Sequence, residues 1–123
     1  MVCGGLGGVM AAAARGACER GGLSLGILPG NDRREAAPDL TLALASGLGE
    51  LRNALLVRAS DGLIAVGGSW GTLSEVALAR RQGLPVVWLR GWSLPDGDIA
   101  TATSPADAVE HVFAALASDE GSI

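Results

Sequence analysis

Two glycine-rich segments are the parts of this chain best suited to bind an anion. They are Gly4-Gly5-Leu6-Gly7-Gly8 and Gly67-Gly68-Ser69-Trp70-Gly71-Thr72. Each follows an apolar stretch predicted as a strand and precedes a stretch with helical periodicity. Free N–H groups and the positive end of a helix attract a phosphate at such a junction, and glycine lets the phosphate approach the backbone. Either segment alone fits a tight turn equally well, but the pair favours a site for a phosphorylated small molecule.

Arg52 and Glu75 are the charged residues that could act beside these segments. Arg52 lies on the apolar stripe of a predicted helix. There it either pairs with an anion or packs its aliphatic carbons on the core and keeps its guanidinium group in water. The other members of that stripe are Leu48, Leu55 and Ala59. Glu75 ends the stretch Thr72-Leu73-Ser74-Glu75, which has capping-box spacing, so spacing alone favours a bond back to the helix start.

Composition excludes several classes of function. The net charge of -4 and the sequence pI of about 4.8 argue against a nucleic-acid polymer as partner. All nine basic residues are arginine, so a P-loop lysine is absent. Cys3, Cys18 and His111 lack metal-ligand spacing, and we expect no metal site. No apolar run reaches the roughly 20 residues that a membrane span needs, and no signal peptide is predicted. We therefore expect a cytoplasmic protein.

Strands and helices are predicted to alternate. After a short strand at Met1–Cys3, the pattern predicts strands at Leu23–Leu28, Leu40–Ala45, Leu63–Val66 and Pro85–Leu89. Helices are predicted at Val9–Arg20, Glu50–Ala59, Thr72–Gln82 and from a Ser104 cap to about Ala117, with a frayed tail at Ser118–Ile123. Because the strands are apolar on both faces, this order indicates a parallel α/β sheet with helices on both faces.

Four segments together resemble a known family. They are GGLGGVMAAAARGACERGG at Gly4–Gly22, LGILPG at Leu25–Gly30, SGLGELRNALLVRASD at Ser46–Asp61 and GGSWGTLSE at Gly67–Glu75. They resemble the LONELY GUY (LOG) family, formerly described as lysine decarboxylase-like, and above all its branch that includes molybdenum cofactor carrier proteins. The resemblance covers Val2 to about Trp92 and implies a Rossmann-like fold.

The resemblance also implies residue roles. Enzymes of the LOG family cleave the N-glycosidic bond of cytokinin nucleoside 5′-monophosphates, and their arginine and glutamate match Arg52 and Glu75, which would be catalytic in such a hydrolase. That reaction requires no cofactor. The positions implied to bind a ligand are Gly4, Gly5, Gly7, Gly8, Met10, Arg52, Asn53, Gly67, Gly68, Ser69, Trp70, Gly71, Thr72 and Glu75.

Three departures from the enzyme pattern favour binding over hydrolysis. Gly67 replaces a proline of the motif, Ser69 replaces its second glycine, and Asn53 replaces a lysine. These choices resemble the carrier branch, which implies a bound nucleotide or molybdenum cofactor. A nucleoside 5′-monophosphate phosphoribohydrolase and an inactive truncated family member are the alternatives.

The length of 123 residues fits one domain. In the family, however, a strand and a helix precede the first glycine segment, so we expect residues 1–123 to form a single Rossmann-like domain that lacks the first β-α unit. A sheet without that strand would leave backbone groups unpaired. We therefore expect a homodimer or a higher homo-oligomer.

Overall fold

The computed structural model describes residues 1–95 and 99–121, with side chains as far as residue 118. The chain forms two compact units, Met1–Ala59 and Ser60–Ile123. Among the described residues each unit contains one three-stranded parallel sheet. The predicted alternation of parallel strands and helices is therefore confirmed within each unit, and the single domain stays a prediction.

The first unit is built around strand β2 (Leu25–Leu28), which lies between β1 (Val2–Cys3) and β3 (Leu42–Ala45). The sheet order is β1-β2-β3, with Val2 beside Leu25 and Leu28 beside Ala45. Most of β2 is buried because it is the middle strand, whereas β3 alternates between exposed and half-buried residues, as an edge strand does. The elements of this unit are β1 (Val2–Cys3), α1 (Val9–Glu19), β2 (Leu25–Leu28), a 3₁₀ turn (Arg33–Glu35), β3 (Leu42–Ala45), a second 3₁₀ turn (Gly49–Leu51) and α2 (Arg52–Arg58).

The second unit repeats this plan around β5 (Val86–Leu89), which lies between β4 (Leu63–Val66) and β6 (Ala100–Ala102). Its sheet order is β4-β5-β6, and all of β5 is buried. The core joins β5 to the last helix, through the side chains of Val87, Leu89, Ala102, Ala108 and Val112. The elements are β4 (Leu63–Val66), α3 (Trp70–Gln82), β5 (Val86–Leu89), β6 (Ala100–Ala102) and α4 (Pro105–Gly121).

Several predicted boundaries are corrected. The helix predicted at Glu50–Ala59 is a 3₁₀ turn followed by α2, and α3 begins at Trp70 rather than Thr72. Strand β6 was not predicted. Helix α4 continues to Gly121, so the prediction of a tail frayed from Ser118 is wrong as far as Gly121, and Ser122 and Ile123 lie outside the described residues. Within the described part of the chain, none of the helices combines the length and the apolar character required to cross a membrane.

Candidate functional site

The first glycine turn, Gly4–Gly8, connects the carboxyl end of β1 to the start of α1. Gly5 has a φ of 77°, and its carbonyl accepts a 2.8 Å hydrogen bond from the backbone N–H of Ala37. Gly8 is the N-cap of α1 with a φ of 64°, and glycine has no side chain to cap the helix. A β-carbon at Gly7 would meet no atom within 4 Å, so packing within the chain does not require glycine there. Gly4 and Gly5 are buried, whereas Gly7 and Gly8 are exposed backbone at a helix start.

Arg52 lies against the first glycine turn. Its Nε donates a 3.0 Å hydrogen bond to the carbonyl of Ile27 on β2, and its Nη1 donates to Oδ1 of Asn53. A β-carbon at Gly4 would lie 2.7 Å from Arg52 Nη2 and 2.6 Å from the Met10 sulfur, so only glycine permits this approach. The structure thus brings Gly4, Met10, Arg52 and Asn53 together.

The buried face of α2 differs from the predicted stripe. Leu48 and Leu55 are 45% and 39% exposed, and Ala59 is exposed as well. The buried residues of the helix are Asn53, Leu56 and Val57. Arg52 therefore does not occupy a core position; it is half-buried at the margin of the packed face and reaches back to β2 through its side chain.

The second glycine turn, Gly67–Thr72, leads from β4 into α3 and is held by side chains. The N–H of Gly67 donates to the carbonyl of Leu89, and the carbonyl of Gly67 accepts a 2.7 Å hydrogen bond from the Trp88 indole. Because a trans peptide places its C=O and N–H on opposite sides, this bond turns the Gly68 N–H away from the indole. The Ser69 hydroxyl caps α3 by accepting from the Thr72 N–H at 3.1 Å.

Glu75 is not the glutamate of a capping box. The box requires Thr72 as the cap residue, whereas the cap is Ser69 and α3 starts three residues earlier than that spacing implies. Both serine and threonine are good N-cap residues, so the residue type does not determine where α3 begins. The extended backbone of Ser69 does. Glu75 lies half-buried in the second turn of α3.

All three tryptophans of the chain surround the second glycine turn. Trp88, 2% exposed, binds Gly67; the Trp92 indole packs directly on Gly68. Trp70 meets Trp92 edge to face with ring centroids 5.0 Å apart. Of the three, only Trp70 was among the predicted site residues. Trp88 and Trp92 lie about 20 residues further along the chain, and the restriction of tryptophan to residues 70–92 was the one available signal.

The helix starts differ in charge. Neither α1 nor α3 carries an acidic residue in its first turn, whereas α4 carries Asp107 there. The Asp107 carboxylate accepts a 3.0 Å hydrogen bond from the Thr103 N–H, which holds the pKa of Asp107 below its ordinary value. The positive ends of α1 and α3 thus have no carboxylate of this kind from their own first turns.

The predicted site residues fall into two groups, one in each unit. Gly4, Gly5, Gly7, Gly8, Met10, Arg52 and Asn53 belong to the first unit, and Gly67–Thr72 with Glu75 belong to the second. In both groups the residues lie at the carboxyl end of parallel strands, the edge at which open α/β sheets bind ligands.

Comparison with known proteins gives a consistent result. A sequence model of the SLOG cluster4 family matches residues 1–119. An uncharacterized protein of Archaeoglobus fulgidus is 38% identical over 112 residues, which is 90% of this chain and 72% of that protein.

Solved structures are also similar. The molybdenum cofactor binding protein of Rippkaea orientalis superposes with a TM-score of 0.85 at 34% identity, covering 94% of this chain and 76% of that one. The molybdenum cofactor carrier protein of Chlamydomonas reinhardtii gives a TM-score of 0.83 at 36% identity, with the same coverage. The chain has the Rossmann-like α/β fold of these proteins.

Proposed function

Because this chain belongs to the SLOG cluster4 family, we propose that it binds a phosphorylated small molecule, either a nucleotide or a molybdenum cofactor. Two similar structures are those of a molybdenum cofactor binding protein and a molybdenum cofactor carrier protein. The segments that carry the resemblance to the LOG family include both glycine turns. Binding rather than turnover is the activity that these features support best.

The second glycine turn is the observation that carries the proposal. Its residues start α3, where the first N–H groups have no partner inside the helix. The Thr72 N–H donates to the Ser69 hydroxyl, so the N–H groups of Trp70 and Gly71 are left to donate to a phosphate oxygen. The helix brings no carboxylate to its first turn, so a phosphate would meet no like charge from that turn.

The residues present fit the phosphate group of a nucleotide or a molybdenum cofactor. Gly7 combines a helix start with empty space at the position of a β-carbon, so a phosphate can approach the backbone there. Arg52 holds its guanidinium beside Gly4 and can donate charge-assisted hydrogen bonds. A bound molybdenum cofactor would be cargo, and its redox chemistry would belong to an enzyme that receives it.

Asn53 favours binding over hydrolysis. At the position where the LOG enzymes have a lysine, Asn53 is 8% exposed and accepts a hydrogen bond from Arg52. Its amide thus orients the arginine and adds no positive charge. We propose that neither Arg52 nor Glu75 breaks a glycosidic bond in this protein.

Calorimetric titration of the purified chain with AMP tests the proposal, with chromatography of the same samples for released adenine. We expect saturable binding and no released adenine. Thr72→Glu places a carboxylate at the second glycine turn and should reduce the affinity about tenfold, which corresponds to 1.4 kcal/mol. Thr72→Gln is the matched control because its side chain has a similar size and no charge.

Three results would contradict the proposal. Absence of AMP binding, or equal affinities of the Thr72→Glu and Thr72→Gln variants, would show that the second turn does not receive the phosphate. Release of adenine that Glu75→Gln abolishes would establish the hydrolase alternative. Sedimentation of the same sample tests the predicted self-association.

A further inference from the structure

The tryptophan cluster at the second glycine turn has a feature that packing does not explain. Trp70 is 79% exposed and Trp92 is 39% exposed. Tryptophan is the largest apolar side chain and is usually well buried, so a mostly exposed indole forfeits the stabilisation that burial provides. Its ring contact among the described residues is the edge of Trp92. Exposed aromatic side chains of this kind are typical of binding sites.

A cavity adjoins the cluster within the second unit. Its volume is about 330 Å³, within the range of about 300–1,000 Å³ of small-molecule sites. Trp88, Trp92 and Arg90 are among its lining residues. Trp92 also packs on Gly68, so one indole forms a wall of the cavity and a cover of the glycine turn.

Arg90 lies in this cavity in an unusual backbone conformation. Its φ is 55°, the left-handed region that L-residues other than glycine rarely adopt. Such conformations are found preferentially at ligand sites, where the surrounding structure holds them. Here the conformation ends β5, and Arg90 is among the residues that line the cavity with Trp88 and Trp92. A guanidinium stacks readily on planar rings.

We propose that Trp92 and Arg90, which line the cavity, bind the planar heterocyclic ring of the phosphorylated ligand, together with Trp70, which packs against Trp92. This inference rests on the proposed function, because the second glycine turn takes the phosphate and the cavity takes the ring. Indole faces stack on purines and pterins without hydrogen-bond readout, so the site recognises aromaticity. Trp92, at the boundary between turn and cavity, would contact the ring.

The experiment compares AMP, which has ring and phosphate, with ribose 5-phosphate, which has the phosphate alone. Calorimetric titration of the full chain is expected to give about tenfold tighter binding of AMP, a typical gain for stacking of a base on an aromatic side chain. Trp92→Ala and Trp70→Ala should each reduce this ratio severalfold. The readout is the ratio of the two affinities, because Trp70 belongs to the phosphate turn and Trp92 packs on it. Trp92→Phe should retain most of the ratio because it keeps an aromatic face.

Phe113→Ala is the matched control. Phe113 is an exposed aromatic residue of the same unit, on α4, and does not line the cavity, so its loss should leave the ratio unchanged. The intrinsic fluorescence supplies a second readout: the chain has three tryptophans and no tyrosine, so AMP should change an emission that arises from this cluster.

The outcomes separate the two proposals. Absence of binding by both ligands contradicts the proposed function. Equal affinities of wild-type protein for AMP and ribose 5-phosphate, or an unchanged ratio in both tryptophan variants, overturns ring recognition and leaves phosphate binding standing. If the tryptophan variants leave the ratio of AMP to ribose 5-phosphate affinity unchanged but alter the sedimentation of the protein, the indoles form a contact between copies of the chain.

Discussion

The two glycine turns occupy equivalent places, between a parallel strand and a helix, yet they are built differently. In the first turn a backbone N–H, that of Ala37, holds the carbonyl of Gly5; in the second a side chain, Trp88, holds the carbonyl of Gly67. The first helix has no side-chain cap, and the second has Ser69. The first turn is thus determined by glycine conformation and the second by side chains, which makes their sensitivities to substitution different.

The largest expected effect is that of Trp88→Phe on the second turn. The substitution removes the donor for the Gly67 carbonyl and reduces the volume of a side chain that is 2% exposed. We expect a loss of about 2–3 kcal/mol in the free energy of unfolding, measured by urea denaturation. Trp70→Phe is the control and should change stability by less than about 0.5 kcal/mol, since Trp70 is mostly exposed. Equal effects of the two variants would mean that the indole does not hold the turn.

The next effect concerns the first turn, where a serine cap like that of α3 should fail. Gly8 has a φ of 64° and a ψ of -131°, whereas Ser69 caps from extended backbone. Gly8→Ser should therefore destabilise the protein by about 1–3 kcal/mol, the cost of a strained residue, instead of adding a cap. Gly7→Ser, one residue earlier with ordinary φ and open space, should be nearly neutral. An increase in the melting temperature of the Gly8 variant would show that the first turn can be capped.

A smaller effect should come from giving α3 a carboxylate. Thr72→Glu creates Ser69-x-x-Glu, a capping box on the observed cap residue, and should stabilise the helix start by about 0.5 kcal/mol. The same carboxylate should lower AMP affinity by about tenfold through charge repulsion, equal to 1.4 kcal/mol. Thr72→Gln can form the same cap without charge and should retain AMP binding. If both variants bind AMP equally poorly, size rather than charge governs the site.

Local sequence was sufficient for the elements that surround both turns. The predicted strand at Leu63–Val66 is confirmed, and the prediction for the first helix differs from α1 by one residue at its end. Strong periodicity and the glycines that bound these segments carry that information. Strand β6 was missed because its three residues, Ala-Thr-Ala, include two alanines, which disfavour strands, and its pairing with β5 supplies the structure.

The candidate site was less accessible to sequence reasoning. Ser69 and Thr72 are both acceptable caps, and only the extended conformation of Ser69 distinguishes them. The predicted stripe around Arg52 was wrong: α2 packs on β2 and buries Leu56 and Val57, whereas Leu55 and Ala59 of the stripe are exposed. The contact between Trp92 and Gly68 spans 24 positions of the sequence, so no local pattern contains it. What was missed is tertiary packing.

The smallest expected effect uses α4, which begins with a Ser104 cap and no glycine turn, as the third helix start. The pKa of Asp107 is lowered chiefly by the hydrogen bond from the Thr103 N–H. The stability that the Asp107 carboxylate contributes is therefore complete above the ordinary pKa of 3.8 and is lost as the pH falls through the lower pKa of the folded state. Urea denaturation at about pH 5 and about pH 2.5 should show a smaller acid-induced loss of stability for Asp107→Asn than for wild type. Glu110→Gln, an exposed change on the same helix, is the control. Because α1 and α3 have no acidic residue in their first turns, their starts should contribute nothing to this pH dependence. If Asp107→Asn loses as much stability on acidification as wild type does, the start of α4 does not differ from the other two in this respect.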